Sequence, residues 1–148
     1  MGTHYQGGEE GRRSLDAFIK LIRAAESVLS RVHKRTDSGL TVSQFGVLES
    51  LLHMGPMHQQ LIGAKLLKSG GNITMVIDNL EKRGLVERQR DRKDRRYVHV
   101  HLTDSGRAFI EDIFPRHVES VLSEFKPLSP EDMNTLGRLC RTLGRGEE

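Results

Sequence analysis

The stretch that decides the fold of this chain is "GLVERQRDRKDRRYVHVHLT" (residues 84–103). Within it, "LVERQR" (85–90) and "YVHVHL" (97–102) have the pattern of two short β-strands. A charged loop joins the two segments, so the stretch predicts a β-hairpin. Gly84 is a helix stop signal before the hairpin, and Thr103 is a helix start signal after it.

The positive charge of the chain is concentrated in and just before this hairpin. Between Lys82 and Arg96 the sequence has eight basic and three acidic residues, a net charge of +5, whereas the whole chain carries only +3. A basic stripe on an otherwise nearly neutral chain predicts an anionic partner that binds at one place. Charge alone leaves nucleic acid and a membrane surface open as that partner.

Apolar residues recur every three or four positions elsewhere in the chain, which predicts six α-helices. Thr41 and Gln44 form a predicted capping box, and Ser69 and Ser129 are predicted N-caps. Pro115 is expected to kink or end the fifth helix, because proline has no backbone N–H and its ring clashes with the preceding turn. The predicted helices cover about residues 14–35, 42–53, 58–67, 70–83, 104–113 and 130–143.

The order of these elements is four helices, one hairpin and two helices. Its middle part, a helix–turn–helix followed by a hairpin, is the winged-helix pattern, in which one helix and one hairpin project from a small core. The predicted fold class is therefore mainly α with a small β-hairpin wing. A chain of 148 residues can bury such a core without disulfides or metal ions.

The fourth helix has one apolar and one polar face. At 100° per residue its inward sector holds Ile73, Val76, Ile77 and Leu80. The opposite face can donate and accept hydrogen bonds, which suits the reading of base edges in a DNA major groove. Any surface helix has a polar face, so it is the basic hairpin that favours DNA. The outward positions are Asn72, Thr74, Met75, Asp78, Asn79 and Lys82.

Residues 69–106 resemble the MarR family of bacterial transcriptional regulators, and the resemblance extends in element order over about residues 14–143. The segment "LEKRGLV" before the wing is typical of the family. The most specific feature is an Asp-x-Arg motif in the wing followed by Leu-Thr-x-x-Gly. This chain matches that feature with Asp94, Arg96, Leu102, Thr103 and Gly106.

The resemblance implies a homodimer, in which the first, fifth and sixth helices intertwine with those of a second copy. Two winged helix-turn-helix lobes would then bind one palindromic operator in double-stranded DNA. The implied function is a transcriptional repressor of its own or a neighbouring operon. The implied organisation is a flexible N-terminus (1–11), N- and C-terminal dimerisation helices (12–36 and 104–148) and a DNA-binding lobe (37–103).

The resemblance also implies that Asp94 orients an arginine at the wing tip that enters the minor groove, and Arg96 matches that arginine. A narrow minor groove attracts arginine because its negative potential is strong. Further basic residues would add salt-dependent phosphate contacts. The predicted DNA-binding residues are Ser69, Asn72, Thr74, Met75, Asp78, Asn79, Lys82, Arg92, Lys93, Asp94, Arg95 and Arg96.

A second similarity concerns the effector. The segments "FGVLESLLHMGPMHQQ" (45–60), "SGGNIT" (69–74) and "IFPRH" (113–117) resemble family members that respond to quinones and other reactive or phenolic compounds. This resemblance implies that a small phenolic or oxidising effector relieves repression from a pocket between the lobe and the dimerisation helices. Its expected lining residues, each more readily explained as ordinary core when taken singly, are Phe18, Ile22, His33, Phe45, Leu48 and Met54.

Thiol sensing, metal sensing and protein binding are the competing interpretations. Cys140 is the single cysteine, so no internal disulfide can form, and its place on the last helix favours a packed, unreactive thiol. His99 and His101 share one face of a strand, but no third or fourth candidate ligand lies at a sequence spacing typical of metal sites, so no metal site is predicted. A protein-binding scaffold would need an apolar outward face on the fourth helix, and that face is polar.

Missing motifs disfavour other classes of protein. The sequence has no Gly-rich phosphate loop, no H-E-x-x-H and no nucleophile elbow, so neither an enzyme nor a cofactor is expected. It has no apolar run of the length that spans a bilayer. Its first residues lack the apolar segment of a signal peptide, so a cytoplasmic protein is expected rather than a membrane protein.

Overall fold

The structure, a computed structural model, describes residues 3–66 and 70–145, which form a mainly helical fold with a small antiparallel sheet. The fold class predicted from the sequence is confirmed. No helix in this described part of the chain is both long and apolar enough to cross a membrane. In chain order the elements are α1 (Glu9–Thr36), α2 (Val42–Met54), β1 (Met57–His58), α3 (Gln59–Lys65), α4 (Gly70–Lys82), β2 (Val86–Arg90), β3 (Val98–Leu102), α5 (Asp104–Phe125) and α6 (Pro130–Arg145).

The hairpin predicted from the opening stretch is present as β2 and β3, and we call the segment Val86–Leu102 the wing. The sheet has a further strand that the sequence analysis missed, because β1 pairs antiparallel with β3 and gives the order β1–β3–β2. His58, which was expected to begin the third helix, therefore lies in β1, and α3 begins at Gln59. A strand of two residues is too short to display an alternating pattern.

The first helix is longer than predicted. It begins at Glu9, so residues 9–11, which were assigned to a flexible N-terminus, are helical. Glu9 and Glu10 lie in its first turn, where negative side chains interact favourably with the helix dipole.

Pro115 does not end the fifth helix, which continues to Phe125. Proline removes one hydrogen bond from the helix ladder. The apolar side chains of the turns before it, Ile110 and Ile113, are buried. Burial of the helix face on tertiary packing outweighs the missing bond, so of the two predicted alternatives, a kink or an end at Pro115, the end is excluded.

The predicted helix caps are formed where the structure describes them. The backbone N–H of Gln44 donates to Thr41 Oγ1 at 3.1 Å, and the backbone N–H of Thr41 donates to Gln44 Oε1 at 3.0 Å, which makes the capping box. Ser129 Oγ accepts the backbone N–H of Asp132 at 3.1 Å at the start of α6. Ser69, the predicted cap of α4, lies outside the described residues.

Contacts divide the chain into two compact units, of which the second, Thr36–His117, contains α2, α3, α4, the sheet and the first half of α5. This unit has its own apolar core, and burying one such aliphatic side chain stabilises the fold by about 1.5–3 kcal/mol. The core residues are Leu40, Phe45, Val47, Leu48, Leu51, Met57, Ile62, Ile73, Val76, Ile77, Leu80, Leu85, Val86, Val100, Ile110 and Ile113.

The first unit consists of α1, the second half of α5 and α6. Its polar anchor is Glu124, whose side chain is only 6% exposed and accepts from Arg31 at 2.8 Å and Arg35 at 2.7 Å. None of the residues of α6 is buried. Large apolar side chains of this unit are exposed instead, including Phe18, Leu29, Leu122, Leu139 and Leu143.

Candidate nucleic-acid interface

The outward face of α4 is arranged as the helical wheel predicted. The four inward residues, Ile73, Val76, Ile77 and Leu80, belong to the core of the second unit. Of the outward residues, Asp78 is half-buried and the others are exposed, namely Asn72, Thr74, Met75, Asn79 and Lys82. The helix therefore offers a polar surface with one long apolar side chain, as the reading of base edges and thymine methyl groups requires.

Arg88 of β2 fixes this helix to the wing, through contacts that we call the Arg88 clamp. Its Nη1 donates to Asp78 Oδ1 at 2.7 Å and to Glu81 Oε1 at 3.2 Å, and Nη2 donates to the Thr74 carbonyl at 3.1 Å. The backbone N–H of Arg88 adds a bond to Glu81 Oε2 at 3.1 Å. Asp78 was predicted as a DNA-binding residue, and the structure gives its carboxylate this intramolecular partner.

Gln59 of α3 completes the clamp. Its Oε1 accepts from Nε of Arg88 at 3.0 Å, and its Nε2 donates to the hydroxyl of Thr74 at 2.9 Å. One arginine thus joins α3, α4 and β2 into a single surface. Sequence analysis missed Arg88 and Gln59 in this role, because the partners are distant along the chain and carry no local motif.

The turn of the wing is organised by Asp91. Its Oδ1 accepts the backbone N–H groups of Lys93 at 2.7 Å and Asp94 at 3.2 Å, and its Oδ2 accepts from Nε2 of His99 at 2.9 Å. The hydrogen bond from His99, followed by the two backbone bonds, lowers the pKa of Asp91 to about 2. The carboxylate therefore stays ionised and holds the turn throughout the neutral and mildly acidic range.

The expected pair between Asp94 and Arg96 is formed at the wing tip. Nε and Nη2 of Arg96 donate to the two carboxylate oxygens of Asp94 at 3.0 and 2.7 Å, a bidentate arrangement. These bonds lower the pKa of Asp94 and raise that of Arg96, so both groups remain charged. The side chain of Arg96 is still 84% exposed. It is oriented by its carboxylate but open to a further partner.

The other predicted basic residues of the wing surround this pair. Arg92, Lys93 and Arg95 are all exposed at the turn between β2 and β3. Long cationic side chains on a protruding turn provide the charge that phosphate contacts need.

The wing is attached to α5 through Thr103. Its hydroxyl donates to the carbonyl of Gly84 at 2.6 Å and accepts the backbone N–H of Gly106 at 2.9 Å. The N-cap predicted at Thr103 is thus present, and the same hydroxyl closes the base of the hairpin.

The six residues expected to line an effector pocket are divided between the two units. Phe18 and Ile22 are exposed on α1, and His33 is half-buried on the same helix. Phe45 and Leu48 lie in the core of the second unit, while Met54 is exposed at the end of α2.

Cys140 was expected to be packed, and this expectation was wrong for the chain as it stands. The thiol is exposed and lines a groove of about 660 Å³ between α1 and α6 in the first unit. Apolar spacing correctly predicted which residues are buried in the second unit. It failed for Cys140 because no residue of α6 is buried within the single chain.

Comparison with known proteins shows that this chain is similar to transcriptional regulators. A sequence profile described as MarR family matches residues 38–96. The chain is 36% identical to YkoM, an uncharacterized HTH-type transcriptional regulator of Bacillus subtilis, over 92% of this chain and 89% of that protein. It is 35% identical to the HTH-type transcriptional regulator MhqR of the same species, over 89% and 92%.

A solved structure agrees with the fold. BpsR of Bordetella bronchiseptica, described with a mechanism for regulation of its DNA binding by 6-hydroxynicotinic acid, aligns with a TM-score of 0.77 and 29% identity. The alignment covers 86% of this chain and 98% of that one.

Proposed function

This chain belongs to the MarR family of winged-helix transcriptional regulators, and from that premise we propose that it is a homodimeric repressor of its own or a neighbouring operon. Its relatives are DNA-binding regulators and not enzymes, as the sequence analysis expected. The repressor role, the dimer, the DNA-contacting residues and the effector are parts of the proposal.

The proposed DNA contacts rest on one observation, which is that α4 and the wing form a joined surface. The Arg88 clamp fixes the polar face of α4 relative to the wing, and Asp94 orients an exposed Arg96 at the wing tip. We propose that α4 enters a major groove while Arg96 enters the adjacent minor groove. Arg92, Lys93 and Arg95 would contact phosphates, and Asn72, Thr74, Met75, Asn79 and Lys82 would face the major groove. Ser69, outside the described residues, stays a proposed DNA contact. Asp78 would act there through its hold on Arg88.

The exposed apolar surface of the first unit supports a homodimer. An exposed patch of this kind marks an interaction site in a folded protein, and the groove between α1 and α6 is lined by Phe18, Leu136, Leu139 and Leu143. We propose that residues 12–36 and the helices after residue 104 meet their counterparts in a second copy. The lobe 37–103 would bind DNA, with the first half of α5 packed in the same compact unit.

For the effector we propose a small phenolic or oxidising compound. The regulation of BpsR by an aromatic acid supports this class of ligand. Phe18, Ile22, His33, Phe45, Leu48 and Met54 remain the proposed lining residues. Titration of hydroquinone or salicylate into the protein–DNA complex should release the DNA, and an unchanged complex at millimolar concentrations of a panel of such compounds would contradict the proposal.

The DNA-binding proposal is tested with a duplex that the protein selects from a random-sequence library. Affinity measured by fluorescence anisotropy should fall steeply between about 50 and 200 mM salt, since each neutralised phosphate contributes about 0.9 to the logarithmic slope. Replacing Arg96 with alanine (Arg96→Ala) should cost about 1–3 kcal/mol of binding and reduce the preference for A·T pairs at the wing position.

The matched control is Arg23→Ala, which removes an exposed arginine from α1. It should leave affinity and base preference unchanged. A salt slope near zero, or equal losses in both variants, would overturn the assignment of the wing as the DNA contact.

A further inference from the structure

One face of the wing sheet brings together histidines from two strands. In the antiparallel register His58 of β1 lies opposite His99 of β3, which in turn lies opposite Gln89 of β2. Side chains directly opposite each other share a face of a sheet, and Asp91 follows on that face just beyond the end of β2. Three elements thereby contribute to one cluster, which we call the wing histidine cluster: His58, Asp91 and His99.

The cluster has the dimensions of a small coordination site. One ligand atom from each of the three side chains lies within 4.8 Å of the other two. Nε2 of His99 is 2.9 Å from Oδ2 of Asp91, and the rings of His58 and His99 have their centroids 4.0 Å apart. Ligand atoms in a tetrahedral zinc site are about 3.3 Å apart, given bond lengths near 2.0–2.1 Å. The observed separations, up to 4.8 Å, are of the same order.

His58 supplies a second and independent observation. Its Nδ1 is the one buried side-chain nitrogen or oxygen within residues 3–66 and 70–145 that has no hydrogen-bond partner. A buried polar atom without a partner has a desolvation cost that some ligand, ion or water normally offsets. A purely structural His99–Asp91 hydrogen bond accounts for two members of the cluster and leaves the nitrogen of His58 unexplained.

We propose that His58, Asp91 and His99 bind one divalent first-row transition-metal ion, of which zinc is the representative. Two imidazoles and one carboxylate are a ligand set that such ions accept. The ion takes the place of the hydrogen atom between Nε2 of His99 and Oδ2 of Asp91, and the neutral imidazole carries its proton on Nδ1 instead.

The surroundings leave room for a fourth ligand. A surface pocket of about 250 Å³, lined by Gln89, Asp91, His99 and His101 among others, opens beside the cluster. The pocket is open to solvent, and the ring of His101 lies 6.3 Å from that of His99, centroid to centroid. Arg90 and Arg92 line the same pocket and weaken the affinity for a cation by repulsion.

The same three residues connect the ion to the shape of the wing. Asp91 holds the turn through the backbone N–H groups of Lys93 and Asp94. An ion on its other oxygen fixes that carboxylate relative to β1 and β3, and therefore stiffens the turn that presents Arg96.

The test is a titration of zinc and cobalt(II) into the metal-free full-length protein at neutral pH. We expect one ion per chain, with cobalt d–d absorption bands typical of a site with nitrogen and oxygen ligands. His58→Gln and His99→Gln should each weaken zinc binding at least tenfold, while His53→Gln, at an exposed position of α2, leaves it unchanged. Circular dichroism checks that the variants are folded.

Absence of a stoichiometric ion in the unaltered protein would overturn the proposal. Equal zinc affinity in all three variants would also overturn it, and would leave these histidines as an ordinary solvated face of the wing. Both readouts are independent of DNA, so a protein that binds zinc but no duplex would contradict the proposed function and leave the metal site standing.

Discussion

At the scale of single residues, Gly106 has a role that depends on its having no side chain. A Cβ atom built at this position would lie 1.8 Å from the carbonyl oxygen of Leu85, which is a backbone atom and cannot rotate away. Beside it, the Thr103 hydroxyl donates a hydrogen bond to the Gly84 carbonyl and accepts one from the Gly106 N–H. The Leu-Thr-x-x-Gly motif is therefore the joint at which the wing hairpin meets α5.

We expect Gly106→Ala to destabilise the second unit by about 2–4 kcal/mol, because the added methyl group must displace backbone in a packed region. Urea unfolding followed by circular dichroism measures this loss. Gly137→Ala is the matched control, since Gly137 lies in α6 with nothing within 4 Å of an added Cβ. That change should stabilise α6 by up to about 1 kcal/mol through helix propensity, and equal effects of the two substitutions would contradict the proposed joint.

At the scale of elements, the geometry of the DNA-contacting surface depends on how α4 is held against β2. Arg88 is only 21% exposed on its side chain and contacts Asp78, Glu81, Gln59 and the carbonyl of Thr74. Its removal would leave two carboxylates of α4 without their cation. The clamp is thus a positioning device for the helix that we propose reads DNA bases.

Arg88→Met keeps the length and apolar packing of the side chain but removes its donors. We expect a loss of about 1–2 kcal/mol in unfolding free energy, because charged hydrogen bonds of a half-buried group are lost. Relative affinities for single-base variants of the selected duplex should also converge, since α4 is no longer fixed against the wing.

Arg90→Met is the control on the same strand, where the arginine is exposed. It should change the unfolding free energy by less than about 0.5 kcal/mol and reduce DNA affinity equally for all sequences. Unaltered base discrimination in Arg88→Met would show that the clamp does not position the helix.

At the scale of the whole molecule, the two units differ in how far they bury their apolar residues. The second unit buries its own core, whereas in the first unit every residue of α6 is exposed. Leu143 is 66% exposed and Leu122 is 62% exposed in the single chain. A homodimer would cover this surface.

Leu143→Glu should shift the protein from dimer toward monomer, with at least a tenfold rise in the dimer dissociation constant measured by sedimentation velocity. The reason is that a carboxylate would have to be desolvated at the proposed contact. Leu61→Glu introduces the same charge at an exposed leucine of α3 and should leave the association unchanged. Identical sedimentation of the two variants would exclude Leu143 from a dimer contact.

Short-range patterns in the sequence predicted much of this molecule. The capping box of Thr41 and Gln44 and the two wing strands each involve residues that are close to one another along the chain. Their geometry is set by local backbone periodicity and by short side chains that reach nearby backbone groups, so a linear sequence is sufficient to find them. The helical wheel of α4 was correct for the same reason.

Only the tertiary structure decided the contacts between residues that are distant along the chain. β1 exists because His58 and its neighbour pair with β3, and α5 continues past Pro115 because its face is buried. The Arg88 clamp and the wing histidine cluster also join separate elements. Such contacts have no period and no fixed spacing, since chain folding alone determines which side chains meet. The sequence by itself thus determined the helices, the wing hairpin and, through the family resemblance, the Asp94–Arg96 pair, whereas tertiary packing added β1 and decided how α4, the wing and the histidine face are joined.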